Sequence, residues 1–269
     1  NITGNLNATK IKTEPAFNGQ LTVPKFNLRK VLASLNQKLP PMADRKALTS
    51  FSMNTDFAGT SNSIALTKLN MKLDQSTLNG KLSITNFESP AVNFNLGIDR
   101  INADRYLAPS PTGKARPITP EAAAAGATQL PIETLRGLKI NGKLVIGKLQ
   151  ISGAKLDNAT LNIDAKGGVI KLNPVSASLY QGSYKGNITL NAKKKLPKLV
   201  LNSQLAGVNV ESLLFDMNGD RSLSGIASFD AKFSSTGNNS TQLTNRLTGP
   251  LKFSVTNGVY RGIDVAAML

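Results

Sequence analysis

Along most of the chain apolar residues fall on every second position, the period of a strand with one buried face. Before residue 74 the odd positions Leu69, Met71 and Leu73 are apolar; in LNGKLSI, residues 78–84, the even positions Leu78, Leu82 and Ile84 take over. Apolar residues must meet on a shared face, so this change of parity predicts a turn at Asp74-Gln75-Ser76-Thr77. Leu73 would then face Leu78, Met71 would face Gly80, and Leu69 would face Leu82. Asn79-Gly80, a pair that often forms a hairpin turn by itself, is thereby placed inside a strand. The phrase returns as INGKLVI at 140–146. There Leu138, Ile140, Gly142, Leu144 and Ile146 share a face, and Leu149 and Ile151 continue it after a shift at Gly147-Lys148.

The same alternation predicts strands at about 48–58, 64–73, 78–86, 91–101, 223–234 and 251–260, with a dense β region over 138–192. Within that region Gly167-Gly168 and Gln181-Gly182 read as two-residue turns. The second would set Leu179 opposite Tyr184, Ala177 opposite Gly186 and Val175 opposite Ile188. Residues 1–26 read as irregular strand with turns at Asn18-Gly19 and Pro24. Leu28, Val31, Leu32 and Leu35 recur at helical spacing ahead of Pro40-Pro41, predicting a helix near 27–38. Further short helices are expected near 208–216, 240–247 and 263–269, with a helical turn at INADRYL. Residues 108–131 combine Pro, Gly and an Ala run and read as a loop or linker between segments 1–107 and 132–269. The expectation is a mainly β protein: a run of antiparallel hairpins with one apolar face and a few short helices.

Composition narrows the chemistry. The chain of 269 residues has no Cys and no His, so disulfides, thiol catalysis and imidazole bases or metal ligands are excluded. Asp216, Asn218 and Asp220 begin like a calcium loop, but Arg221 stands where Gly is needed and Ala227 where Glu is needed. Asp99, Arg100, Asp104 and Arg105 cluster in DRINADRYL; the reading is that Asp104 caps a helical turn and the arginines pair locally. No glycine loop has the spacing of a phosphate cradle. No catalytic residue, metal or cofactor is therefore assigned. The net charge of +16 would attract anionic lipid, nucleic acid or an acidic protein. With ten Phe, four Tyr and no Trp, strands carrying stacking aromatics are missing, and nucleic acid is not expected as a partner. Lys193-Lys194-Lys195, the one basic block, reads as a hairpin tip. No apolar run approaches the roughly 20 residues of a membrane span. The chain opens at Asn1 and closes in mid-pattern at GVYRGIDVAAML, which reads as a segment with any membrane anchor or export signal outside it.

The order of phrases is itself informative. FNLRKVLASLNQKLP, LDQSTLNGKLSI and FNLGIDRINADRYLAP precede a Pro-rich insert, and LKINGKLVIGKLQISGAKLDNATLNIDAKGGVIKLNPVSASLYQGSYKGNITLNA, VNVESLLFDMNGDRSLSGIASFDAKFSSTG and LTGPLKFSVTNGVYRGIDV follow it. This succession resembles the periplasmic region of AsmA family proteins over nearly the whole chain, more weakly over residues 1–25. The family often has Gly-Gly where this chain has Gln181-Gly182. The resemblance implies a body in the Gram-negative periplasm, held to the inner membrane by an N-terminal helix. It implies a long curved β-groove with an apolar inner face, a non-enzymatic carrier of phospholipid between the two membranes that supports outer-membrane biogenesis. Its partners would be acyl chains, the inner membrane, and outer-membrane or periplasmic proteins. The groove face so implied runs through Leu78, Leu82, Ile84, Phe94 and Leu96, then Leu144, Ile146, Leu149 and Ile151. It continues through Leu161, Ile163, Leu172, Val175 and Leu179 to Ile188 and Leu190. The rival expectation is a closed β-sandwich or scaffold that assists outer-membrane protein assembly, its apolar face an ordinary core.

Overall fold

The computed structural model describes residues 1–37, 39–109 and 129–261. The central part of the stretch read as a linker, 110–128, and the helix expected at 263–269 lie outside them. The strands are β1 (Thr3–Thr9), β2 (Ala16–Phe26), β3 (Phe51–Thr60), β4 (Ser63–Leu73), β5 (Ser76–Thr85), β6 (Ala91–Asn102), β7 (Lys139–Ile151), β8 (Ala154–Lys166), β9 (Val169–Leu179), β10 (Gly182–Asn191), β11 (Lys198–Asn209), β12 (Leu223–Thr236) and β13 (Leu251–Tyr260). They form one long curved sheet in chain order, β1 beside β2 and so on to β13, and it does not close on itself. Every neighbouring pair is antiparallel except β6 and β7, which run parallel. That pair departs from the all-antiparallel expectation, and the chain between the two strands has to return along their full length.

The sheet therefore has two rims. The near rim, where β1 begins, carries residues 27–50 with helix α1 (Leu28–Ser34), the turns at 74–75, 152–153 and 180–181, a 3-10 turn (Ala103–Arg105) and helix α3 (Val210–Asn218). The far rim carries the other hairpin tips, helix α2 (Ile132–Gly137) and helix α4 (Ser240–Asn245). Asparagine starts most of these helices. Asn27, Asn102, Asn209 and Asn239 accept hydrogen bonds from the N–H of Lys30, Asp104, Ser212 and Gln242, satisfying donors that a first turn leaves free. Gly219, at φ 78, ends α3. Helix α1 is shorter than the hydrophobic spacing suggests, because Asn36 takes a left-handed φ of 54 before the two prolines are reached. Helix α2, opened by Pro131, is too short to show a period and was not expected.

Two turns differ from the sequence expectation in the same way. Leu73 faces Ser76, Met71 faces Leu78 and Leu69 faces Gly80, so the turn is Asp74-Gln75 alone. Leu179 faces Gly182, Ala177 faces Tyr184 and Val175 faces Gly186, so that turn is Tyr180-Gln181. The expected faces hold, and the pairings slide by two residues. Asp74 (φ 52), Tyr180 (φ 46) and Gln181 (φ 71) adopt the left-handed region without being glycine. The side chains of Asp74 and Tyr180 make long-range hydrogen bonds, described below. Gly167-Gly168 does turn, at φ 56 and 76. Asn18-Gly19 does not: it lies within β2, paired with Asn7 and Leu6, and the β1–β2 connection is 10–15. Asn79-Gly80 lies within β5, as the parity argument requires.

Polar clasps hold the near rim. The Asp74 carboxylate accepts from the backbone N–H of Leu48 (2.8 Å), Thr49 (3.0 Å) and Ser50 (3.1 Å) and from the Tyr106 hydroxyl (2.9 Å). Burial works to raise its pKa, but these donors outweigh burial and hold it below 3.8. Burial and the hydrogen bond to Asp74 push Tyr106 up to about 12. Asp104 accepts from the N–H of Ser152 and Gly153, and Arg105 pairs with Asp44 at 2.7 Å. The local reading of DRINADRYL holds for Arg100, which pairs with Asp99 at 3.9 Å, and is corrected elsewhere: the cap is Asn102, and Asp104 and Arg105 reach distant turns. Asp216 accepts from Lys155 (2.9 Å) and Tyr180 (2.8 Å). The Lys155 bond is the leading cause that lowers its pKa, and burial first pushes Tyr180 up to about 12.

Candidate functional site: the apolar face

Register sets the side chains of one face in rows that run across the strands. One row is Leu66, Leu82, Phe94, Gly142, Ile163, Leu172, Ile188, Leu201 and Phe233. A second is Leu69, Gly80, Leu96, Leu144, Leu161, Val175, Gly186, Ser203, Ala231 and Leu251. The third, toward the far rim, is Ile64, Ile84, Val92, Ile140, Ala165, Ile170, Leu190 and Leu199. Leu78, Ile98 and Ile146 add a partial row. The second row crosses ten strands, a path of about 43 Å at the usual 4.8 Å spacing.

The sixteen residues read from the sequence fall on this face. Leu82, Phe94, Ile163, Leu172 and Ile188 lie in the first row; Leu96, Leu144, Leu161 and Val175 in the second; Ile84 and Leu190 in the third; Leu78 and Ile146 in the partial row. Asp99, Gly147 and Asn158 interrupt the ladder, Asn158 at φ 51, and the apolar column resumes one residue out of phase as Ile101, Leu149 and Leu156. Such an irregularity re-aims side chains and keeps the apolar pattern on one face. Ile151, 41% exposed, and Leu179 stand at the near rim. The sequence reading stopped short at both ends: Leu66, Leu69, Leu199, Leu201 and Phe233 belong to the same rows and show the same alternation.

No second layer covers the rows among the described residues. The buried apolar residues are mostly small, Ala47, Ala165, Ala177, Ala192 and Ala231 beside Leu69, Leu179 and Val208. Leu69 apart, the large side chains of the rows keep part of their surface accessible, whereas the leucines of a sandwich core would be covered. The accessible surface of 17188 Å² exceeds the roughly 11,300 Å² of a compact chain of this mass. The opposite face is polar. A recess of about 530 Å³ there is lined by Asn95, Asn141, Lys143, Asn162 and Asp164 among others, and a lipid tail placed in it would desolvate amides and a carboxylate. The apolar face, not this recess, suits an aliphatic ligand.

Glycines tune the face. The two copies of Asn-Gly-Lys flank β6, and their glycines serve different ends. Gly80 takes φ 143 beside the irregularity at Lys68 of β4. Gly142 lies under Phe94, whose ring atoms stand 2.5 Å from where a Cβ would be. Gly97, on the polar face, has nothing nearer than 4.0 Å. Gly142→Val should therefore push the Phe94 ring aside and cost about 1–3 kcal/mol, while Gly97→Val should be neutral or stabilise by up to about 1 kcal/mol. Urea unfolding of the pair checks this; equal effects would contradict the assignment of faces.

Among the described residues no cluster of acidic side chains could hold a metal ion, and no helix is long and apolar enough to cross a membrane. Asp216 and Asp220, the start of the apparent calcium loop, are engaged by Lys155 and Tyr180 and by the N–H of Ser222. Comparison with curated proteins and with solved structures finds no match. The model of the AsmA family matches residues 6–269, and with nearly its whole length so covered, this chain belongs to the AsmA family.

Proposed function

We propose that the apolar face carries the acyl chains of phospholipids, and that the protein is a non-enzymatic lipid-conducting module working in the periplasm between the inner and outer membranes. One observation carries the reading: rows made almost wholly of apolar residues cross the strands of an unclosed sheet, with no second layer over them among the described residues. Membership of the AsmA family is consistent with periplasmic lipid transport or outer-membrane biogenesis, and an anchor in the inner membrane would lie outside the described residues.

The physics suits the role. Drawing a sixteen-carbon chain into water costs on the order of 12 kcal/mol at roughly 0.8 kcal/mol per methylene. Rows of Leu and Ile at strand spacing give each segment of the chain an apolar floor, so movement along a row exchanges like contacts for like. No bond is broken, and the assignment asks for no catalytic group.

Extraction of the purified protein with organic solvent should release phospholipid. Protein that carries none when exposed to vesicles, yet supports assembly of outer-membrane proteins, would favour the scaffold reading instead.

A further inference from the structure

The two rims differ in how they spend their charge. At the near rim four cations pair with acids, Arg105 with Asp44, Lys155 with Asp216, and Arg221 and Arg261 with Glu211. The exposed Lys30, Arg45 and Lys46 there, which make no ion pair among the described residues, are not gathered on a single hairpin tip. At the far rim of β7–β11 the chain sets Arg136, Lys166, Lys193, Lys194, Lys195 and Lys198 into the connections and strand ends. Arg136 pairs with Glu133 at 2.6 Å; among the described residues none of the five lysines makes an ion pair. These lysines are exposed, yet the backbone that bears them is anchored. Arg136 donates to the carbonyls of Ala192 (2.9 Å) and Lys193 (3.1 Å), the Ala192 N–H bonds Gly168 at 2.7 Å, and Ala192 and Pro197 are buried on either side of the lysine triplet.

Like charges gathered on a fixed tip repel one another, and the one acid beside them among the described residues, Glu133, is engaged by Arg136. A bound anion would. The third apolar row ends beside this rim, with Leu190 and Leu199 one residue inside Asn191 and Lys198. An aliphatic floor thus meets a cationic border within one residue, the polarity of a phospholipid whose tails lie on the rows and whose phosphate lies at the edge.

We infer that the far rim is the headgroup track, and that its lysines select anionic phospholipids over zwitterionic ones. The inference rests on the proposed carriage of acyl chains and adds orientation and headgroup class to it. The test loads the protein from mixed vesicles of phosphatidylglycerol and phosphatidylcholine and measures the ratio of the two in the protein. The parent should take up phosphatidylglycerol in excess by about fivefold or more, given the attraction of each surface lysine to an anionic lipid. Lys193→Gln, Lys194→Gln and Lys195→Gln together should bring the ratio near one and leave total lipid largely intact. Lys30→Gln, Arg45→Gln and Lys46→Gln, the same charge removed from exposed near-rim positions, should leave the ratio unchanged. Equal uptake of both lipids by the parent overturns the inference and spares the carriage of acyl chains. No uptake of either overturns both. An unchanged ratio in the far-rim variant, with loss of salt-sensitive DNA binding, would assign the lysines to nucleic acid and overturn the inference as well.

Discussion

Leu144→Asp should leave the protein folded and strip it of lipid. Leu144 lies in the second row between Leu96 and Leu161, partly exposed, so its replacement loses part of one aliphatic contact, about 1–2 kcal/mol. The new carboxylate can stay hydrated on an open face. Inside a sealed sandwich the same change would bury a charge and unfold the domain. For an acyl chain lying along the row the position becomes a charged step, and lipid retained per protein should fall to about a fifth or less, since the chain must desolvate the carboxylate to pass it. Thermal unfolding and lipid extraction of the same preparation decide the matter. A variant that unfolds, from a parent that holds no lipid, would support the sandwich; a folded variant with undiminished lipid would move the path away from this row.

Asp74→Asn should cost about 2–3 kcal/mol, because one carboxylate serves three backbone N–H groups and a phenol and an amide cannot accept from all four. Asparagine tolerates the left-handed φ of the turn, so the loss isolates the carboxylate. Its pH dependence has a definite sign. The folded pKa of Asp74 lies below 3.8, so the stability it contributes is present above the unfolded value and is lost as pH falls through the folded one. The gap between parent and variant should be constant near neutrality and narrow below about pH 4. Tyr106, raised to about 12, contributes in the opposite sense: its share is full below the unfolded value near 10 and is lost as pH rises toward 12. Tyr106→Phe should therefore flatten the alkaline limb of the stability profile and leave most of the acid limb, which chemical denaturation at stepped pH can read. A gap between parent and Asp74→Asn that is unchanged down to pH 2 would remove Asp74 from this role.

Faces were more legible than pairings. Alternation places Leu78, Gly80 and Leu82 on one side of β5 wherever the preceding turn lies, because a slip of two residues returns every side chain to its own face. For that reason the pairings around the turns at Asp74-Gln75 and Tyr180-Gln181 could be misplaced by two without disturbing the apolar face. What settles them is long-range: Asp74 is held by residues 48–50 and Tyr106, and Tyr180 by Asp216 and Lys155. No local window contains such partners. Asn18-Gly19 misled for the converse reason, since a dipeptide suited to a turn also fits a strand where Gly19 lies close to the Phe57 ring. The near-rim acids were visible as residues and opaque as clasps, their partners lying 24 to 61 positions away.

The parallel joint between β6 and β7 turns strand number into a question of parity. Hairpins add strands in twos, and each addition lengthens the sheet by about 9.6 Å while leaving every later turn on the rim it already occupied. A single added strand would exchange the rims for everything downstream unless the chain made another long return. The joint is one such return: without it, the tips that bear Lys166 and Lys193 would fall on the side of Asp44 and Asp74. A sheet of this design can change its span freely in units of two, and its sidedness survives every such change.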